Sequence, residues 1–186
     1  MISSIVLFGL MIYSNRAPDY AVLLGQKLKG SEQQKTSSVI SLRKWCNYYD
    51  VSQEKMYKVM SHETRTNFYV YAYNPITKAR GPCQVTEQAL LDIPEGKLYF
   101  KYEIIEGIKT RIVDKYILYN IDMNIRAGCS YMAICERRAP LYRNAMPLLL
   151  KLYLNEDEVS LLLYCLGAGH IRQFISGMDY VKVVSK

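Results

Sequence analysis

The chain has 186 residues, half of them apolar, and carries 24 Lys and Arg against 17 Asp and Glu for a net charge of +7. That composition argues against intrinsic disorder, and the length suffices for one domain, 1–186, with a core of its own. Five cysteines, an odd number with no Cys-x-x-Cys pair, speak against a secreted disulfide scaffold and read as reduced, mostly buried thiols of an intracellular protein.

In chain order, the first feature is the apolar run Ile5–Tyr13. No Lys or Arg precedes it, Pro18 spoils the nearest small-residue cleavage site, and nine apolar residues are too few to span a bilayer. It therefore reads as a buried first strand rather than a signal peptide. Ser14-Asn15-Arg16 then makes a turn, and Pro18 opens a helix on which Tyr20, Leu23, Leu24 and Leu28 keep helical spacing until Gly30. Residues 31–37 are polar and predict an exposed loop. Helices are expected over Val39–Tyr49 and Gln53–Met60.

A run of Tyr- and Ile-rich strands is expected next. Phe68–Tyr73 and Gln84-Val85 are the first two, with a turn at Asn74-Pro75 between them and a single helical turn at Glu87–Leu91 after them. In Lys97–Ile105, the residues Leu98, Phe100, Tyr102 and Ile104 alternate with Tyr99, Lys101, Glu103 and Ile105. In Tyr116–Arg126, Ile117, Tyr119, Ile121, Met123 and Ile125 alternate with polar or smaller partners, and Tyr131–Cys135 closes the set. Leu141–Leu154 looks helical with a break at Pro147. A last helix runs from Glu156, whose acidic first turn suits the helix dipole, to about Leu166. Gly167 and Gly169 stop it, 170–176 forms a short turn, and Tyr180–Val184 reads as a terminal strand. The fold class is thus α+β, an antiparallel sheet with an N-terminal strand, helices packed on one side, and a closing helix and strand.

Seventeen Tyr against four Phe and one Trp are unusual; a phenol ring suits strand faces and contact surfaces as well as cores. The basic surplus is concentrated in residues 1–60, which hold eight basic and four acidic side chains. Lys27, Lys29, Lys35, Arg43, Lys44, Lys55 and Lys58 would build a cationic face for phosphates or anionic lipid heads if their helices lie side by side; the plainer alternative is a solvated helix surface. Residues 45–60 also resemble a helix-turn-helix: Cys46 takes the small position, Val51-Ser52 the turn and cap, and Met56 and Val59 the packing positions. Gln53, Glu54, Lys55 and Lys58 would then face a groove, although Asp50 stands where the pattern commonly has Gly. Simple helix packing explains the same residues. Pro18-Asp19-Tyr20 and Pro140-Leu141-Tyr142, each after Ala, read either as recognition loops of a Pro-x-Tyr type or as parts of helices.

Catalytic parts are missing from the sequence. His170 lies near Cys165 and Asp179, but the Gly-Ala-Gly before it follows a helix and not a strand. His62-Glu63 lacks the second histidine of a zinc protease, and neither histidine stands at ligand spacing from a cysteine pair. Hence no enzyme, no cofactor and no metal is expected.

The order of elements resembles the matrix proteins of rhabdoviruses. Ile12-Tyr13-Ser14-Asn15-Arg16-Ala17-Pro18 is one echo, Tyr119–Ile125 leading towards Ala139-Pro140 another, and the final apolar helix before Tyr180–Val184 a third. The resemblance implies a structural protein that self-associates, binds a viral nucleocapsid or RNA, and meets an anionic membrane surface, with host proteins as further partners. The expected location is the virion and the host-cell cytoplasm or inner membrane surface, with the nucleus as an alternative, and not outside the cell. The chain departs from the animal-virus members in lacking a Lys-rich tail with Pro-Pro-x-Tyr, so the plant-infecting members are the nearer comparison. A DNA-binding regulator using residues 45–60 and a virulence factor that occupies a host protein are the alternatives.

Overall fold

In the computed structural model residues 18–184 are described, and the strand expected at Ile5–Tyr13 lies outside them. The chain is α+β, with helices α1 (Tyr20–Lys27), α2 (Glu32–Tyr49), α3 (Gln53–Glu63), α4 (Glu87–Asp92), α5 (Lys115–Tyr119), α6 (Ile121–Ala145), α7 (Leu148–Tyr153) and α8 (Glu156–Val184). Strands β1 (Phe100–Ile105) and β2 (Ile108–Val113) pair antiparallel between α4 and α5.

Local chemistry sets the helix boundaries. Asp19 starts α1 by accepting hydrogen bonds from the amides of Ala21 and Val22. Ser31 and Gln34 form a reciprocal capping box, so α2 begins at Glu32 and the loop expected over 31–37 is helix instead. Asp50 ends α2 in the left-handed region (φ 56°), and Ser52 caps α3 two residues later.

The sheet is smaller than the alternation of side chains suggests. Phe68–Tyr73 and Gln84-Val85 make only isolated bridges, Lys29 to Tyr69, Tyr73 to Arg80 and Arg80 to Val85. Positive φ at Phe68 (43°) and Gln84 (46°) breaks the extended run at each. Tyr116–Arg126 is helical: Asp114 caps α5, and Asn120 caps α6 by accepting from the Met123 amide at 3.1 Å. Tyr131–Cys135 lies inside α6, and Tyr180–Val184 continues α8. Pro147 separates α6 from α7, and Gly167 (φ 76°, ψ 154°) kinks α8, after which the helix resumes and does not stop.

The 25 residues of α6 span roughly 38 Å. Its buried positions Ile121, Ile125, Gly128, Met132, Cys135 and Ala139 recur every three or four residues and form one stripe against α2 and α8. Leu24, Leu42, Met56, Met60, Leu118 and Leu163 complete the core. Asp122 fastens α2 to α6 by accepting from Ser41 Oγ (2.7 Å) and Trp45 Nε1 (2.8 Å). All five cysteines are free, and Cys46 Sγ lies 3.7 Å from Cys129 Sγ within the core. No helix among the described residues is long and apolar enough to cross a membrane.

Candidate membrane and polyanion interface

Among the described residues the β1–β2 hairpin is anchored mainly at its base. Tyr99 is fully buried and donates its hydroxyl to the Met123 carbonyl at 3.1 Å, while Phe100 and Val113 pack half-buried against the core. Beyond them the strands pair mainly with each other. Six residues per strand carry the tip roughly 20 Å outward. The turn Glu106-Gly107 has positive φ at both residues (52° and 80°), the backbone of a two-residue hairpin turn.

Register decides what each face offers. Phe100, Tyr102 and Ile104 share one face with Val113, Arg111 and Lys109. Arg111 lies over the Phe100 ring (4.7 Å) and Lys109 over the Tyr102 ring (4.8 Å). The other face brings Ile105 opposite Ile108 and Lys101 opposite Ile112, with Lys101 paired to Glu103 at 2.7 Å. At the tip Ile104 is 70% and Ile108 69% exposed, with Tyr102 at 63%. The alternation read over Lys97–Ile105 is therefore present from Phe100 onward, but the strand is not half-buried. A two-stranded hairpin with apolar residues in water on both faces is marginal by itself and gains from a partner.

A phenolic row adjoins it. Lys29 pairs with Tyr69 in a parallel bridge, the Tyr69 and Tyr71 rings meet edge to face at 5.8 Å, and Tyr71 meets Tyr119 in the same way at 5.6 Å. A cavity of about 500 Å³ is lined by Tyr71, Tyr116 and Tyr119 together with Gln34 and Asn120. Lys115, which follows β2, lies 5.2 Å from the Tyr116 ring centroid. These tyrosines are separated by up to fifty residues in sequence, and only the seating of α5 beside the 69–73 segment joins them.

The cations singled out in residues 27–58 divide into two groups. Lys35 pairs with Glu32 (2.7 Å), Arg43 with Asp19 (2.6 Å) and Lys58 with Glu54 (2.7 Å). The Asp19 carboxyl is held below its ordinary value chiefly by the Arg43 hydrogen bond. Lys55 is only 9% exposed and donates to Glu136 and, at 2.9 Å, to Asp157. Burial works against its ammonium, but the two carboxylates outweigh burial and raise its pKa. Lys55 is thus a core fastener and does not belong to a cationic surface. Among the described residues Lys27, Lys29 and Lys44 make no ion pair; Lys29 donates to Asn67 Oδ1, and Lys44 sits 4.1 Å over the Trp45 ring.

The helix, left-handed turn, cap and helix of residues 45–60 are present, and Cys46, Val51, Met56 and Val59 are buried as the pattern requires. Asp50 adopts the backbone that Gly usually supplies there. The proposed reading face fares differently, since Lys55 is enclosed, Gln53 and Glu54 are half-buried, and Lys58 is neutralised by Glu54 on its own helix. Both Pro-x-Tyr segments enter helices: Tyr20 begins α1, and Pro140 and Tyr142 lie within α6.

A cavity of about 750 Å³ opens beside the α8 kink and is lined among others by Thr86, Asp92, Tyr131, Arg138, His170 and Arg172. Its polar groups are engaged: Arg138 pairs with Asp92 (2.9 Å), Arg172 donates to Tyr142 Oη (2.9 Å), and His170 Nδ1 donates to the Leu166 carbonyl (2.8 Å). His170 stands on a helix and not in the turn that the glycines suggest. At the rear of this region Glu63, at the end of α3, meets Cys165 of α8 beside His62. Burial raises the Glu63 carboxyl above its ordinary value, and burial followed by the neighbouring carboxylate raises the Cys165 thiol. Sequence spacing concealed this group, because 102 residues separate Glu63 from Cys165.

No family, curated protein or solved structure matches the chain.

Proposed function

We propose that this protein is a non-enzymatic, matrix-like viral assembly protein that self-associates and bridges an anionic membrane to a nucleocapsid or its RNA. The observation that carries the reading is the projecting hairpin, with Ile104, Ile105 and Ile108 at its tip and Lys109, Arg111 and Tyr102 behind them. Isoleucines at the leading end suit the acyl boundary of a bilayer, while cations and a phenol suit the headgroup level. The adjoining row Tyr69, Tyr71 and Tyr119, bounded by Lys29 and Lys115, offers stacking faces and positive charge to single-stranded nucleic acid. Open hairpin edges supply a route to pairing between copies. The virion and the inner face of a host membrane are the corresponding places of action.

Co-sedimentation with vesicles of phosphatidylserine and phosphatidylcholine, against phosphatidylcholine alone, tests it. Wild-type protein is expected to pellet with the anionic vesicles in low salt, and I104E/I108E to stay in the supernatant with its circular dichroism unchanged. In parallel, wild-type protein should bind unstructured RNA of any sequence and increase in mass with concentration by light scattering. A monomer that ignores both vesicles and RNA, or that prefers one DNA duplex over all others, would overturn the reading.

A further inference from the structure

We propose that His62, Glu63 and Cys165 form a site for a thiophilic divalent cation of the zinc class. The three side chains come from two elements: His62 and Glu63 from the last turn of α3, and Cys165 from α8 two residues before the Gly167 kink. One ligand atom from each, an imidazole nitrogen, a carboxylate oxygen and the thiol sulfur, lies within 4.8 Å of the other two. Tetrahedral ligand atoms with bonds of about 2.0–2.3 Å stand roughly 3.3–3.8 Å apart, so closure by about 1 Å completes the triangle. His62 is exposed, which leaves its imidazole room to turn towards the other two ligands.

The donor set selects the metal. One sulfur, one nitrogen and one oxygen fit Zn²⁺ or Co²⁺, whereas Mg²⁺ and Ca²⁺ require all-oxygen shells. His62 is exposed and Cys165 half-buried, which leaves the site open to solvent on one side, with a fourth position for water. Glu63 is half-buried, and among the described residues it makes no ion pair with Lys or Arg. The site therefore holds a carboxylate whose countercharge the fold does not otherwise provide. The other four cysteines are buried in the core and cannot substitute for Cys165.

Binding is a proton exchange. The Cys165 S–H bond breaks, the sulfur lone pair bonds the cation, and the proton leaves to solvent with no change of oxidation state. The bond ties α3 to α8 beside the kink and so clamps the last helix onto the body.

The test uses the full, untagged chain, reduced and freed of metal, titrated with Co²⁺. One equivalent is expected to produce a thiolate-to-cobalt charge-transfer band in the near ultraviolet with tetrahedral bands in the visible, all bleached by Zn²⁺. C165S should abolish the charge-transfer band, and H62A and E63Q should each weaken binding at least tenfold. H62A alters an exposed side chain and keeps the comparison valid if C165S fails to fold by circular dichroism. Absence of the band in the wild-type protein, its persistence in C165S, or equal affinity in H62A and wild type would each overturn the site.

Discussion

Asn124 shows how one buried amide can organise a segment that has little regular structure. It is fully buried on α6, yet all its polar capacity is used: Nδ2 donates to the carbonyls of Arg80 (2.9 Å) and Leu118 (3.0 Å), and Oδ1 accepts from the Cys83 amide (3.0 Å). Gly81 lies so close that a Cβ there would stand 2.2 Å from the Asn124 amide nitrogen. Residues 80–85 have only the isolated Arg80–Val85 bridge and a few turn bonds to satisfy their backbone, and this side chain adds the partners those leave out. Replacing Asn124 with Leu keeps the volume but removes the acceptor of the Cys83 N–H and the Asn124 donor to the Leu118 carbonyl, and leaves the Arg80 carbonyl with the Val85 amide alone. We expect a loss of about 2–4 kcal/mol, read as a lower urea midpoint with an unchanged slope. Asn124→Asp should cost a similar amount at neutral pH, because a carboxylate cannot donate to the two carbonyls.

At the scale of elements, Lys55 joins α3 to α6 through Glu136 and to α8 through Asp157. Lys55→Met fills the space but strands a half-buried Glu136, so a loss of about 1–3 kcal/mol at pH 7 is expected, discounted because Asp157 is largely exposed. The folded-state pKa of Lys55 lies above the ordinary 10.5, so its charge-linked contribution is complete below that pH and disappears as pH rises through the folded value. Urea melts of both proteins from pH 7 to 11.5 should show their difference shrinking above pH 10.5. A gap that stays constant over that range would mean that the ammonium contributes nothing. This lysine was legible in the sequence as a cation but not as a buried one, since Glu136 and Asp157 lie far along the chain. The same limit applies more widely. The helices α1 and α3 and the breaks at Pro147 and Gly167 follow from local signals, and the Ser31–Gln34 capping box was present to be read. Residues 116–126 misled because five apolar side chains alternate there. Continuing the count from Ile121 to Ala139 reveals a period near 3.6, and the Asn120 cap resets the pattern. The tyrosine row and the His62–Glu63–Cys165 cluster depend on how distant helices seat, and no local window contains that information.

For the molecule as a whole, the net charge of +7 sets long-range attraction to polyanions, but the structure distributes that charge unequally. Lys35, Arg43, Lys55 and Lys58 already have carboxylate partners, and a phosphate would have to compete with those pairs. Lys27, Lys29 and Lys44 have none among the described residues, and Lys29 sits at the end of the tyrosine row. Among the cations of residues 27–58, counterion release on binding a polyanion is therefore expected mainly from this second set. In the triple variant K27Q/K29Q/K44Q the slope of log affinity against log salt for single-stranded RNA should flatten by about 0.7 for each phosphate no longer neutralised, or by about 2 in all. The matching variant K35Q/R43Q/K58Q removes the same formal charge from already neutralised positions and should change the slope by less than half as much. Fluorescence anisotropy with a labelled oligonucleotide between low and moderate salt separates the two variants. Equal flattening in both would mean that RNA senses only net charge, and the lysines beside the phenol rings would then have no special part in binding.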